Sequence, residues 1–180
     1  MAERALSSMT VDEFLSWDDG TDTRYELADG IVRAMAPPDA AHRVIVANVT
    51  AIIHGALRSR PPCRPEIEAG LRIDARTMWQ ADIAATCHPP SREIEAPSLV
   101  VEVLSPSTRT HDLGRKLSDY RTLATVQEIW LADSERRWLQ LWRRDGERWV
   151  VQDFVGGSLF RSDVLTIDVP LDDVYINSGL

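Results

Sequence analysis

The sequence of 180 residues predicts an α/β (α+β) fold in a single domain, with a mixed central sheet flanked by helices. Apolar residues recur at helical spacing from Ala40 to about Leu57, which predicts one long amphipathic helix. Short apolar runs of strand length lie before and after it, separated by Gly, Pro and polar turns. No internal repeat or linker divides residues 1–180, and residues 1–9 are expected to form a loose leader.

The first third of the chain carries a helix start and a hairpin turn. Thr10 is followed three residues later by Glu13, a capping box that predicts a short helix through Trp17. Asp29-Gly30 favours a tight two-residue turn, so its flanking segments are predicted to pair as a hairpin. The hairpin strands are expected at 24–28 and 31–36.

After the long helix the chain is predicted to form strands and one further helix. Prolines and Gly-containing turns mark the breaks between them. The helix is expected from about Asp112 to Leu123, and Gly156-Gly157 precedes a C-terminal tail. The predicted strands are Glu66–Ile73, Met78–Thr86, Leu99–Leu104, Glu128–Ala132, Trp138–Arg143 and Trp149–Phe154.

Composition and charge limit the class of protein. Apolar runs such as Ala51-Ile52-Ile53 are too short to span a membrane, and the N-terminus has no signal-peptide core. A cytoplasmic protein without membrane contact is therefore expected. Cys63 and Cys87 are isolated and are interpreted as ordinary thiols in a reducing compartment. The net charge of −8 argues against a protein that coats nucleic acid, but not against a nuclease with an acidic site.

Lys116 is the only lysine, and the other nineteen basic side chains are all arginine. Such a coding bias is expected to replace a lysine that has no specific role. A lysine offers a compact ammonium that can act as a base, which a guanidinium cannot. The simpler interpretation is an i,i+4 ion pair with Asp112, worth roughly a few tenths of a kcal/mol. Because arginine would serve that pair equally well, the simpler interpretation leaves the single lysine unexplained.

Two carboxylates precede Lys116 in consecutive predicted strands. Strand alternation places Glu102 on the same side as Val100 and Leu104, where a carboxylate is costly unless a charge or metal compensates it. The simpler interpretations are a Glu102 paired with arginine at a strand end and a solvated Asp82. If the two strands pair, both carboxylates come together. Mg²⁺ prefers one or two carboxylates with waters and phosphate oxygens, and the Val103 carbonyl is a further oxygen ligand for it.

Other candidate residues carry weaker signals. The four histidines, His42 among them, are scattered without zinc-like spacing and are interpreted as structural or surface residues. Tyr120 is interpreted as a core aromatic at helical spacing. The sequence contains no phosphate loop, no GxGxxG and no GxSxG, which excludes the common nucleotide, dinucleotide and serine-hydrolase sites.

The order of these segments resembles the Uma-two type of endonuclease, a bacterial branch of the PD-(D/E)XK restriction-endonuclease-like superfamily. The resemblance covers nearly the whole chain. It is most specific in VVEVLSPST at 100–108 and HDLGRKLSDYR at 111–121. The other matching segments are MTVDEF at 9–14, RYELADG at 24–30, AHRVIV at 41–46, WQADIAA at 79–85 and EIWLAD at 128–133.

The resemblance implies a restriction-endonuclease-like domain with Asp82, Glu102, Lys116 and Glu26 as catalytic residues. Asp82 and Glu102 match the two acids of the family motif, and Glu26 matches its early glutamate. Lys116 looks like the motif lysine relocated to the following helix, because Leu104 stands where many relatives have it.

The predicted function is a Mg²⁺- or Mn²⁺-dependent endonuclease that hydrolyses DNA phosphodiester bonds. Asp82, Glu102 and the Val103 carbonyl would hold the metal, and Lys116 would position the attacking water. Ala81 replaces the family's usual proline but removes no ligand. A homodimer through the Trp-rich C-terminal strands is a further prediction. The alternatives are a non-catalytic binding or assembly module that retains the fold, and a hydrolase for a smaller phosphodiester.

Overall fold

The computed structural model describes residues 8–105 and 112–180 and contains one large mixed sheet. The helices are α1 (Val11–Ser16), α2 (Ala40–Leu57), α3 (Leu117–Thr122) and α4 (Leu171–Val174), with a π-helical turn at Asp112–Lys116. The strands are β1 (Tyr25–Ala28), β2 (Ile31–Ala34), β3 (Arg64–Arg72), β4 (Met78–Thr86), β5 (Leu99–Leu104), β6 (Glu128–Asp133), β7 (Trp138–Asp145), β8 (Arg148–Val155), β9 (Leu159–Ser162) and β10 (Ile167–Pro170).

The eight-stranded sheet follows the order β2-β1-β4-β5-β6-β7-β8, and β3 also pairs with β4. The β5–β6 pair is parallel and the other neighbours are antiparallel. One face of the sheet packs against α2 and the C-terminal segment, and the other packs against α3. A mixed sheet flanked by helices is the predicted fold class.

Local sequence signals set the N-terminal elements as predicted. Thr10 Oγ1 accepts a hydrogen bond from Glu13 N at 3.3 Å, and the Glu13 carboxylate accepts one from Thr10 N at 2.7 Å. Asp29 and Gly30 both have positive φ, 52° and 80°, which the favoured two-residue hairpin turn requires. The predicted leader is wrong for residues 8–9, because Met9 N donates to Gly30 O at 2.8 Å; residues 1–7 lie outside the described residues.

α2 has the bounds that its helical periodicity predicts. Within the described residues it is the one helix long and apolar enough, by length and composition, to cross a membrane, which the short apolar runs did not indicate. Its buried residues Ile45, Val49, Ile53 and Leu57 pack into a core cluster shared with β4, β5 and β6. The core helix of a soluble protein meets the same criterion.

β4 has different partners along its two edges. One edge pairs with β3 from Met78 to Thr86. In the described chain, the other edge pairs with β1 at Met78 and with β5 from Ile83 to Ala85. β1 and β5 therefore diverge from the same edge of β4. We call the gap between them, beside residues 79–82 of β4, the fork.

The strand alternation of β4 breaks at Asp82. Trp79 and Ala81 belong to the apolar cluster of the α3 face, whereas Ile83 and Ala85 belong to the cluster of the α2 face. Regular alternation would place all four on one face. The irregularity lies opposite Glu68 of β3, whose φ is 53°. The β3–β4 register is otherwise continuous, but it contains no pair between Glu68 and Asp82.

The two cysteines form a disulfide bond, so the interpretation of Cys63 and Cys87 as ordinary thiols is wrong. They are separated by 24 residues along the chain. Cys63 immediately precedes Arg64, and Cys87 immediately follows Thr86. Because β3 and β4 pair Arg64 with Thr86, the two cysteines come together. The pairing of β3 with β4, rather than a cysteine motif, places the two sulfur atoms within bonding distance. Cytoplasmic localisation stays a prediction.

The tryptophans of the C-terminal strands pack within the chain. Trp130 is fully buried in the core. Trp138, Trp142 and Trp149 are partly buried against the cluster of the α3 face. Each of these three also lies beneath an arginine guanidinium, at 5.2, 5.2 and 4.5 Å from the ring centroid. Their contacts are thus explained inside one chain, and the homodimer stays a prediction.

The C-terminal segment is not a simple tail. It forms β9, β10 and α4, and Phe160, Leu165, Val169 and Leu171 are buried in the core. Tyr175 follows α4, and its hydroxyl accepts a hydrogen bond from Asp133 N at 3.1 Å. The same hydroxyl donates to the Trp138 carbonyl. Tyr175 thereby ties the C-terminus to the ends of β6 and β7.

We expect Tyr175 to make the protein sensitive to alkali. Burial raises the pKa of its phenol from 10 to about 12, and the nearby backbone hydrogen bonds offset this only in part. Because the folded pKa is raised, the stabilisation is complete below pH 10 and is lost as the pH rises towards 12. Relative to Tyr175→Phe, the wild type should lose about 1.4 kcal/mol of unfolding free energy between pH 9 and pH 11. Denaturant unfolding at both pH values measures this difference, and a constant difference would contradict the expectation.

Candidate active site

The Lys116 ammonium occupies the fork between β1 and β5. Its Nζ donates to the Gln80 carbonyl at 3.1 Å and lies 3.2 Å from Glu26 Oε2 and 3.5 Å from Glu102 Oε1. Glu26 lies on β1 and Glu102 on β5, so the lysine joins the two diverging strands. Lys116 is 4% exposed and both glutamates are buried. Burial of such charges requires mutual pairing, which the fork provides.

The π-helical turn places Lys116 over the sheet. Lys116 is the last residue of this turn, and Leu117 at the start of α3 is buried against the sheet. Single π-helical turns are often found at functional sites. The ammonium contacts two glutamates of the sheet. The predicted pair with Asp112 falls on a side chain outside those that the structure describes.

Glu102 is held from a second direction by Tyr120. The Tyr120 hydroxyl donates to Glu102 Oε1 at 2.6 Å, inside the core. Lys116 and Tyr120 are four residues apart and thus face the same way from the helix. Among the described residues, the contacts of Glu102 are with a lysine and a tyrosine, where the simpler interpretation expected an arginine. Tyr120 is a core aromatic, as predicted, whose hydroxyl also orients the candidate acid.

Asp82 extends the link between β4 and β5 beyond their paired residues. Its Oδ2 accepts a hydrogen bond from Val103 N at 2.6 Å, and its Oδ1 lies 3.1 Å from His42 Nε2. Its side chain is 18% exposed, so the solvated interpretation is wrong. Burial lowers the pKa of His42, but the hydrogen bond and charge of Asp82 outweigh it and the net pKa is raised above 6.5. The first turn of α2 supplies this histidine, and Asp39 caps that turn.

These side chains meet at an open cleft of about 270 Å³. One wall contains Glu26, Lys116, Asp82 and Val103. The other wall is the segment after β2, residues 34–38, with arginines at the rim. Of the four predicted catalytic residues, Glu102 is the one that is absent from the described lining of the cleft. It contacts Lys116 from the buried side. The structure therefore brings all four predicted catalytic side chains to one place.

The predicted ligands are all oxygen atoms of the kind that Mg²⁺ and Mn²⁺ bind. Asp82 and Glu102 are two carboxylates, and Val103 adds a carbonyl on β5. Within the described residues no three His, Cys, Asp or Glu side chains form a metal-binding group. Mg²⁺ commonly retains several waters and uses only one or two carboxylates. The donor set thus fits a largely hydrated Mg²⁺ and does not fit a site built from side chains alone.

A family comparison covers the segments that carry these residues. The model of the family Uma2, described as "Putative restriction endonuclease", matches residues 11–172. The chain belongs to the Uma2 family. The Uma2 match runs from α1 into α4 and includes every residue of the fork. The resemblance stated from the sequence motifs is confirmed.

Two individual proteins are similar to this Uma2 chain over most of its length. The uncharacterized protein slr1290 of Synechocystis sp. is 25% identical over 174 residues, which are 93% of this chain and 91% of that protein. The crystal structure of "a putative nuclease belonging to DUF820" from Anabaena variabilis superposes with a TM-score of 0.76. It is 18% identical and covers 93% of this chain and 97% of its own. This second likeness confirms the predicted fold class.

Sequence reasoning missed two partners of the acids in this Uma2 protein. Tyr120 was detectable, because the spacing D-x-x-x-K-x-x-x-Y places it one helical turn after Lys116. His42 carried no periodic signal, since its contact with Asp82 joins residues 40 positions apart. Only its position in a segment that resembles the family pointed to it.

Proposed function

We propose that this Uma2 protein is a Mg²⁺- or Mn²⁺-dependent endonuclease that hydrolyses phosphodiester bonds of DNA. Membership of a family described as restriction endonucleases supports nuclease function in general. The observation that carries the proposal is the Lys116 ammonium, held between Glu26 and Glu102 at the wall of the cleft that Asp82 also lines.

Each residue of the fork has a part in this proposal. Asp82, Glu102 and the Val103 carbonyl would hold the metal, which supplies Lewis-acid polarisation of the phosphoryl oxygen and a more acidic bound water. The Lys116 ammonium orients the attacking water or stabilises the charge that develops on the phosphoryl group. Glu26 keeps that ammonium at the cleft wall.

Three further contacts hold the acids in position. The Tyr120 hydroxyl fixes the Glu102 carboxylate from the core side. Val103 N and His42 together fix the Asp82 carboxylate, one bond to each oxygen. A preorganised site of this kind needs little rearrangement when charge develops.

A cleavage assay tests the function. Wild type and Glu102→Ala are incubated with Mn²⁺ and supercoiled, linear or single-stranded DNA. We expect cutting by the wild type and a loss of at least about 100-fold in the variant. Glu147→Ala, at an exposed glutamate of the β7–β8 turn, is the matched control and should cut normally. Glu102→Gln keeps the side-chain shape if the alanine variant folds poorly. Cutting by Glu102→Ala at the wild-type rate would refute the assigned site.

A non-catalytic binding or assembly module is the second candidate, and one observation favours it. Glu102 is bound by Lys116 and Tyr120, and both oxygens of Asp82 have partners, so the acids are satisfied by the protein itself. Calorimetric titration with Mg²⁺ or Mn²⁺ separates the two functions. Binding that disappears in Asp82→Ala and Glu102→Ala supports the enzyme, and no binding at millimolar metal supports the module.

A further inference from the structure

Three cavities meet at Arg24 and Asp82, which line all of them. The first is the active-site cleft. A second, of about 130 Å³, lies towards Tyr25 and Gln80, and a third, of about 210 Å³, lies towards α2. The space around Asp82 is thus a groove that continues on both sides of the carboxylate. An extended chain fits such a groove better than a compact small molecule does.

The second cavity, here called the side cavity, combines apolar walls and one amide with the charged side chains of Arg24, Glu68 and Asp82. Tyr25, Met35 and Ala81 supply apolar surface, and Gln80 supplies the amide. Its volume of about 130 Å³ is roughly tenfold the 10–15 Å³ that one water requires on the same measure. It therefore has room for one planar ring system and none for a base pair.

Gln80 has an unused hydrogen-bonding atom in this region. Its Oε1 is buried and has no hydrogen-bond partner among the described residues. Unsatisfied buried acceptors are rare and call for an explanation. A glutamine amide offers one acceptor and two donors, the groups that pair with the edge of a nucleobase.

Arg24 supplies positive charge at the entrance of the side cavity. Its guanidinium pairs with the Glu68 carboxylate and is more than a third exposed. Arg33 adds a second guanidinium at the rim of the main cleft. A phosphate on the same strand as a base in the side cavity would lie within reach of this positive rim.

We propose that the side cavity takes one unpaired nucleobase of a single-stranded nucleic acid. The Gln80 amide rotates its buried Oε1 towards the cavity and bonds the base edge. Tyr25 and Met35 contact the face of the base, and Arg24 contacts the neighbouring phosphate. This inference rests on the proposed nuclease function and names its substrate class, a single strand or an unpaired end. A paired base is excluded because its edge and both faces are already engaged in the duplex.

Fluorescence anisotropy with labelled oligonucleotides tests the side cavity in EDTA, where metal-dependent cleavage cannot occur. We expect the wild type to bind a single strand about tenfold tighter than a duplex of the same sequence. Affinities for dA, dC and dT homopolymers should also differ. Gln80→Leu should remove most of that difference. In Gln80→Glu the side chain can only accept hydrogen bonds, so the preference should shift towards dA and dC, whose bases carry amino groups.

Gln152→Leu, at an exposed glutamine of β8, is the matched control and should keep the wild-type pattern. Equal affinity for single strand and duplex, or an unchanged base preference in both Gln80 variants, would overturn the proposal. Base-dependent binding without any cleavage would support the side cavity and refute the nuclease. Cleavage together with a preference for the duplex would support the nuclease and refute the side cavity. The failure of either proposal is thus distinguishable from the failure of the other.

Discussion

Replacing Lys116 by arginine should reduce DNA cleavage by about 10²–10⁴-fold while the fold is retained. The Lys116 ammonium fits three acceptors in the fork: the Gln80 carbonyl, Glu26 and Glu102. A guanidinium is planar and larger, holds its hydrogen-bond donors in a rigid planar arrangement and does not give up a proton. It would keep the charge between the glutamates but change both the position of the donors and the proton chemistry.

The rate at which Lys116→Arg nicks supercoiled DNA with saturating Mn²⁺ measures this effect, and far-UV circular dichroism verifies the fold. Arg148→Lys makes the opposite exchange at an exposed residue of β8 and should leave the rate unchanged. If Lys116→Arg retained full activity, a positive charge alone would be sufficient. The single lysine would then have no chemical explanation.

Removing the ammonium should also destabilise the protein, independently of any activity. We expect Lys116→Met to lower the free energy of unfolding by about 3–5 kcal/mol, because two buried carboxylates lose their shared cation. Tyr120 still binds Glu102 in this variant, whereas Glu26 loses the ion pair that joins β1 to the fork. Methionine keeps the length and most of the volume of the lysine stem, so the change isolates the charge.

Denaturant unfolding followed by tryptophan fluorescence measures this loss. Adding Glu26→Gln to Lys116→Met should recover part of the stability, because a buried amide costs less than a buried carboxylate. Glu147→Gln is the exposed control and should change stability by less than about 0.5 kcal/mol. A Lys116→Met protein as stable as the wild type would show that the ammonium does not stabilise the fork.

Much of the fold could be predicted because its signals are local. The capping box of α1, the Asp29-Gly30 turn and the periodicity of α2 each involve residues within one or two turns of chain. The bounds of β4 and β5 were also predicted correctly, since both are bracketed by turn residues. The predictions failed after Gly157, where β9 and β10 are four residues each and too short for a clear alternating pattern.

The candidate site shows the same division. Asp82, Glu102, Lys116 and Glu26 were selected from residue type, order and family resemblance, and the structure brings them together. Their arrangement depends on contacts between distant segments, which no local pattern encodes. The Cys63–Cys87 bond, the His42–Asp82 contact and the face change of β4 share this origin.

The sequence by itself determined the element types as far as Gly157, the fold class and the set of candidate residues, because periodicity, capping and turn chemistry act over a few residues. Only the tertiary structure decided that β1 and β5 diverge from one edge of β4. That divergence leaves the Gln80 carbonyl to accept from Lys116, and it places Glu26 and Glu102 on opposite sides of the ammonium. Strand pairing is set by burial and hydrogen bonding across the whole sheet, and the fork is its consequence.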